Sequence, residues 1–379
     1  MQPSDVIPDA EVAGRVERLQ TLMAEQDLDA LICFGAHRDY APADLWYLAR
    51  WSCIDEEMSY VFVPPRGETT LVTDAEWDEE RARTEAFAGS VVFDRTPAGP
   101  LAKLVRTQGG AGHRVGISGM TVFPAPVYLG LAAELEGYDL IDATALTERQ
   151  RTVKSPLELG LMREAARVSD LGMRAGIEGA RGGATEVEIA AYAESAIRFA
   201  GAEISFTTIV GSGPRTALTT FLPSGRRPQT RDIVVLDCGA RVNGYHGDMC
   251  RAIVIGGPDR EQRRMLEAVA AGVRAGTQAA HPGATVGNVQ LAARTAIADS
   301  GYGDAFWGYY MPHGAGAAQH EMPLGLVHAD MLLEEGMVLC IEPGIAILGV
   351  GGIVLEQMIH VGQDGAEVLN DLPLELWDT

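Results

Sequence analysis

The sequence predicts an α+β chain of two domains: an α/β domain over residues 1–152, then a pseudo-symmetric α+β domain over 153–379. Three observations predict it. Helix and strand signals mix through the first 150 or so residues, a common domain size. Ser155-Pro156-Leu157-Glu158 is a capping box with proline at the first helical position, which restarts the chain as a helix. RGGATEVEIAAYAESAIRFAGA (181–202) is similar to HPGATVGNVQLAARTAIADSGY (281–302), and self-similarity of helix pairs implies two related halves.

In chain order, Val12, Val16, Leu19, Leu22 and Met23 recur at helical spacing and predict a helix over about 10–26. Ala30–Phe34 reads as a buried strand. Tyr60–Pro64 and Thr69–Val72 read as a strand pair across Pro65-Arg66-Gly67, and Val115–Ser118 as a further short strand. The stretch 39–57 holds Trp46, Tyr47 and Trp51 among carboxylates, a density of aromatics that marks an interface when exposed. A helix is expected from Pro156 to about Gly179. A second capping box, Thr185 to Glu188, opens another to about Ala200.

The stretch VVLDCGARVNGYHGDMCRAIVI (234–255) organises the second domain. Asn243-Gly244 between two apolar runs is a type I′ hairpin signal, because both central residues need positive φ. Val242 then faces Tyr245 and Gly239 faces Asp248. Asp237 becomes the diagonal neighbour of Asp248 on one face, since strand side chains alternate. Two largely buried carboxylates that close call for a positive partner, and a divalent metal ion fits. His246 lies two residues before Asp248 and points to the same face.

Composition narrows the function classes. Acidic residues outnumber basic ones 52 to 30, a net charge of −22, the reverse of a nucleic-acid surface. No apolar run approaches membrane-span length, and the first residues lack the basic and apolar regions of a secretory signal. Cys33, Cys53, Cys238, Cys250 and Cys340 are odd in number with no CxxC, which suits free, buried thiols in a reducing, cytoplasmic setting.

More ligand-type residues follow. His313 and His320 stand seven apart in MPHGAGAAQHEMP, where small residues let the backbone approach a site. Glu342 ends the apolar run MVLCIE, and Glu356 sits inside GGIVLEQMIHV, where an unpaired buried Glu is rare. Two Asp, two Glu and one His form an oxygen-rich set suited to Mn, Fe, Co or Zn, and to two ions sharing carboxylates.

DCGARVNGYHGDMCR, HGAGAAQHE, EPG and GGIVLEQ resemble, in order and spacing, the pita-bread metallohydrolases related to prolidase, aminopeptidase P, creatinase and methionine aminopeptidase (family M24). KSPLELGLMREAA resembles the opening of their catalytic domain, and the first half is similar to the creatinase-type N-terminal domain. The resemblance implies a creatinase-like domain over 1–152 and a pita-bread catalytic domain over 153–379. It implies a homodimer in which one N-terminal domain borders the partner's site, and hydrolysis of a C–N amide-type bond by a hydroxide bridging two divalent ions. Asp237 would bind one ion, Asp248 and Glu356 would bridge both, and His313 and Glu342 would complete the coordination of the second ion. Glu342 would shuttle the proton, and His320 would bond the developing oxyanion.

Thr220 and Tyr309 occupy positions where the resemblance leads one to expect His, and Val354 one where it leads one to expect Arg; all three are candidate substrate contacts. These departures shift the expected substrate from Xaa-Pro peptides toward a small metabolite, as in relatives resembling ectoine hydrolase, creatinase or a sulfoniopropionate lyase. His246 is the residue placed to compensate. A non-catalytic binding module on this fold is a third reading, disfavoured by five intact ligands.

Overall fold

The computed structural model describes residues 6–36, 43–55, 57–218, 220–308 and 310–378, which form two compact units meeting at Arg151/Thr152. In the first, the apolar spacing of 12–23 folds as helix α1 (Asp9–Glu25), with Val12, Val16, Leu19 and Met23 buried. A six-stranded sheet runs in the order β4-β3-β2-β1-β5-β6, formed by Ala30–Gly35 (β1), Ser59–Val63 (β2), Thr70–Thr73 (β3), Ser90–Phe93 (β4), Arg114–Ser118 (β5) and Asp139–Asp142 (β6). Strands β1 to β3 pair antiparallel, as the turn at 65–67 requires, and β4, β5 and β6 join in parallel. Phe34, Tyr60 and Phe123 meet at centroid distances of 5.4–5.7 Å in its core.

The aromatic stretch corrects one expectation. Tyr47 and Trp51 are 2% and 1% exposed, not presented to a partner. Helix α2 (Asp44–Ala49) turns Tyr47 under the Arg15 guanidinium at 4.3 Å. Trp51 lies under Arg81 at 3.8 Å and donates from Nε1 to Ser59. Stacked cations satisfy the ring faces, so the rings pack inward. Residues 39–42 and 56 of that stretch fall outside the described residues.

The helices Glu79–Glu85 (α3), Ala98–Gln108 (α4), Ala125–Glu134 (α5) and Thr144–Thr152 (α6) precede the second unit's first helix, Pro156–Arg181 (α7). Its Ser155–Glu158 capping box is formed in both directions, and so is the Thr185–Glu188 box of α8 (Glu186–Phe199). Helices Arg260–Ala279 (α9) and Val286–Ile297 (α10) repeat the arrangement, with Thr285 capping α10. Pseudo-symmetry is visible atom by atom. A Cβ on Gly172 would meet Ile197 and Ala193, and one on Gly272, 100 positions on, would meet Ile297 and Ala293. Gly176 is filled by Leu236, and Gly276 by Ile341.

Strands supply the surfaces these helices cover. Glu203–Ile204 (β7), Ala240–Val242 (β10) and Tyr245–His246 (β11) form one small sheet. Ile209–Ser212 (β8), Ile233–Asp237 (β9) and Cys250–Val254 (β12) form a second. Phe306–Trp307 (β13), Gly344–Ile347 (β17) and Gly351–Val354 (β18) form a third. His313–Gly314 (β14), Glu321–Leu324 (β15), Val338–Ile341 (β16), Gln357–Gly362 (β19) and Gly365–Val368 (β20) make a five-stranded sheet in the order β15-β14-β16-β19-β20. Among the described residues no helix is long and apolar enough to cross a membrane.

Candidate metal centre

The site begins with the hairpin. Asn243 and Gly244 take φ of 46° and 85°, and Val242 pairs with Tyr245, as a two-residue turn requires. The same register continues through Cys238 N donating to Met249 O and the Asp237–Cys250 pair. Asp248 is therefore diagonal to Asp237. Gly239 and Gly247 allow the two strands to touch there, since a Cβ on Gly239 would collide with the Gly247 carbonyl. Tyr245 donates from its hydroxyl to Glu158 at 2.8 Å, tying the turn to the capping box that opens α7.

The other donors arrive from the second half. His313 pairs with Cys340 across β14 and β16, and Cys340 with Met358 across β16 and β19. Glu342 follows β16 directly. Glu356 precedes β19, and its N–H donates to Cys250 O. Ligand-type atoms of Asp237, Glu342 and Glu356 lie within 4.8 Å of one another, as do those of Asp248, His313, Cys340 and Glu356. Glu356 belongs to both groups, the placement a bridging carboxylate needs. Cys340, a free buried thiol, is the one member of these groups outside the expected ligand set.

Electrostatics argue that a cation belongs here. Burial first, then Asp248, Glu356 and Glu342, push the Asp237 carboxyl well above the usual carboxylate range. Burial raises Asp248 and Glu356 as well, and Glu342 to about 7. At about 5 Å and an effective dielectric near 20, each ionised pair costs roughly 3 kcal/mol. Several such pairs compete with the whole stability of a domain. Asp237 Oδ1, Glu356 Oε1 and His313 Nε2 are buried without a hydrogen-bond partner. His313 Nδ1 lies 3.2 Å from the Gly314 carbonyl, which places the proton there and leaves the Nε2 lone pair free. Buried orphan acceptors facing one another are what a divalent ion satisfies.

His320 stacks edge-on against His313 at 4.2 Å between ring centroids. Desolvation first, and then the His313 neighbour, push its pKa down, and the residue keeps part of its surface in solvent. His246 is 6% exposed, so it is not a solvated residue at the hairpin end. Its Nδ1 is 2.9 Å from Ser205 Oγ, and burial, then Arg241, hold its pKa well below the usual histidine range. Thr220 is exposed, in the loop between the turn at 213–218 and β9. Val354 is buried in the apolar cluster around α9 and α10. Tyr309 lies outside the described residues.

Two residues were missed in the sequence. Arg251 is buried, and its guanidinium donates to the carbonyls of Glu356, Cys250, Leu372 and Pro373. Its donors go to backbone carbonyls, so it braces the backbone that carries Glu356 rather than pairing with a carboxylate. The arginine next to Cys250 in the motif was the available signal. Gln319, within HGAGAAQHE, donates from Nε2 to Asp248 Oδ2 at 3.2 Å. A cavity of about 850 Å³ lies in the first unit, lined by Arg50, Thr69 and Phe87 among others, and contains none of the site residues.

Comparison with known proteins bears on this geometry. Residues 160–363, more than half of the chain, match the model of metallopeptidase family M24. The chain belongs to metallopeptidase family M24. Residues 15–153 match the creatinase/prolidase N-terminal domain. The M24 chain is 37% identical over 227 residues to an Xaa-Pro dipeptidase of Pyrococcus furiosus, covering 60% of this chain and 65% of that protein. The aligned part thus spans about two thirds of that relative's length. The structure superposes on an Xaa-Pro dipeptidase from Bacillus anthracis with a TM-score of 0.84 at 28% identity, covering 97% of this chain and 99% of that one. It superposes on the prolidase from Pyrococcus horikoshii OT3 with a TM-score of 0.85 at 27% identity, covering 96% and 99%. The fold is the creatinase-type domain followed by the M24 catalytic domain, and the family implies divalent metal. These relatives carry peptidase names, and the small-metabolite alternative is not favoured.

Proposed function

We propose that this chain is a metal-dependent hydrolase that cleaves the C–N amide bond of Xaa-Pro dipeptides. Two divalent ions, from among Mn, Co, Zn and Fe, would be held by Asp237, Asp248, His313, Glu342 and Glu356. The observation that carries the reading is the convergence of buried Asp237 Oδ1, Glu356 Oε1 and His313 Nε2, none with a hydrogen bond and the last two 3.4 Å apart, among raised carboxylates. Bound ions supply Lewis acidity to the scissile carbonyl and acidify a water.

The chain's own residues do the rest. Glu342, a carboxylate beside the ions, accepts the proton of the attacking water and returns it to the leaving amine. His320, kept neutral at pH 7, presents an uncharged N–H to the developing oxyanion. His246, held by Ser205, orients the substrate from the hairpin side. Steady-state kinetics on Ala-Pro, Gly-Pro and longer Xaa-Pro peptides, with each metal supplied in turn, test the reading. A kcat/KM above about 10⁴ M⁻¹s⁻¹ on a dipeptide is expected. No turnover with any metal would sink it.

We further propose a cytoplasmic homodimer in which one N-terminal domain borders the partner's site. Free, buried cysteines support the compartment. Sedimentation at micromolar concentration should give a dimer, and a monomer excludes it; recovery in the membrane or secreted fraction excludes the compartment.

A further inference from the structure

Gln319 stands one residue before His320, in the loop joining β14 to β15. Its Nε2 lies 3.2 Å from Asp248 Oδ2. An ionised carboxylate only accepts, so the amide nitrogen, not its oxygen, faces Asp248. Asp248 is 2% exposed, and its carboxyl torsion is intrinsically broad. A donor outside the ligand set is needed to hold its oxygens toward His313 and Glu356.

The loop that carries this donor is itself held. Gly316 O accepts from His246 N at 2.8 Å, and Gly316 N donates to Ala318 O at 3.0 Å. Glu321, just after the loop, meets Lys154 Nζ at 2.7 Å with both side chains 1% exposed. That pair leaves the loop little freedom, so the position of the Gln319 amide is set by the fold. An amide does not titrate, and the donor is present at every working pH.

We propose that Gln319 is a positioning residue for Asp248, fixing the carboxylate in the orientation that binds the ions; this rests on Asp248 being a metal ligand. Outer partners of this kind typically change metal affinity or activity by about 10–100-fold when removed. The test is calorimetric titration of the metal-stripped full chain with Co(II), with the visible Co(II) spectrum recorded in parallel. It compares wild type, Gln319→Leu, which keeps the volume and loses the donor, and Gln319→Asn, which keeps an amide on a shorter arm. The expected result is a Co(II) Kd raised about tenfold or more in Gln319→Leu, an altered spectrum, and partial recovery of both in Gln319→Asn. The KM for a dipeptide at saturating metal should stay unchanged. Wild-type affinity and spectrum in Gln319→Leu overturn the proposal alone. A lowered melting midpoint of metal-free Gln319→Leu, matching its loss of affinity, assigns a structural role and also overturns it. Failure of the wild type to bind Co(II) overturns this proposal and the metal-site reading together.

Discussion

The two halves of the second unit are built alike and equipped differently. In the first, α7 and α8 pack across Gly172 and Gly176, and Leu236 of β9 fills the notch at Gly176. In the second, α9 and α10 pack across Gly272 and Gly276, and Ile341 of β16 fills the notch at Gly276. The residue after each filler is a site carboxylate, Asp237 in one half and Glu342 in the other. Beyond that the halves diverge. The first adds Asp248 by a tight hairpin, and the second adds His313 and Glu356 from β14 and the β18–β19 turn. The repeated helix pair decides where a strand presents its donor, and local strand chemistry decides which donor it is.

The comparison breaks most sharply at the carboxylate common to both ligand groups. Glu356→Ala should remove at least one ion and lower activity by about 10²-fold or more, a larger effect than losing a residue held by one half. Metal analysis of the purified variant decides it, and full occupancy would contradict the shared role.

The next effect is on stability of the metal-free chain. Glu342 is raised from 4.5 to about 7 by burial first, and Asp248 adds to the rise. A group whose folded pKa is raised binds its proton more tightly in the folded state. Its contribution is present below the unfolded pKa and is lost as pH climbs from about 4.5 through about 7. The cost is on the order of 3 kcal/mol at most. The metal-free melting midpoint should therefore fall from pH 5 to pH 8, and added Mn(II) should restore more at pH 8. A midpoint that rises over that range in the stripped protein would contradict the like-charge account.

Smaller effects sharpen the symmetry itself. Gly176→Ala and Gly276→Ala each push a methyl into a strand residue and should cost roughly 1–3 kcal/mol by overpacking. The closer Leu236 contact makes the first the larger. Denaturant unfolding measures both, and a cost in one half alone would deny equivalent packing. Smallest are Thr185→Ala and Thr285→Ala, which remove matching N-caps and should each cost about 1 kcal/mol. Unequal midpoints would show that one cap is redundant.

The sequence alone determined the local features. Asn-Gly fixed the hairpin register, because only a two-residue turn with positive φ joins those strands, and that register put Asp237 diagonal to Asp248. Capping boxes at Ser155 and Thr185 placed two helix starts, because side-chain and backbone partners sit three residues apart. The Gly-Ala-Thr echo announced the two halves. Tertiary structure alone decided what depends on approach between distant segments. Trp51 and Tyr47 are buried because Arg81 and Arg15 come from other helices to cover them. Cys340 stands among the ligands because β16 lies between β14 and β19. Arg251 reaches the Glu356 backbone, and Gln319 reaches Asp248, across separations of 105 and 71 residues that no local pattern encodes.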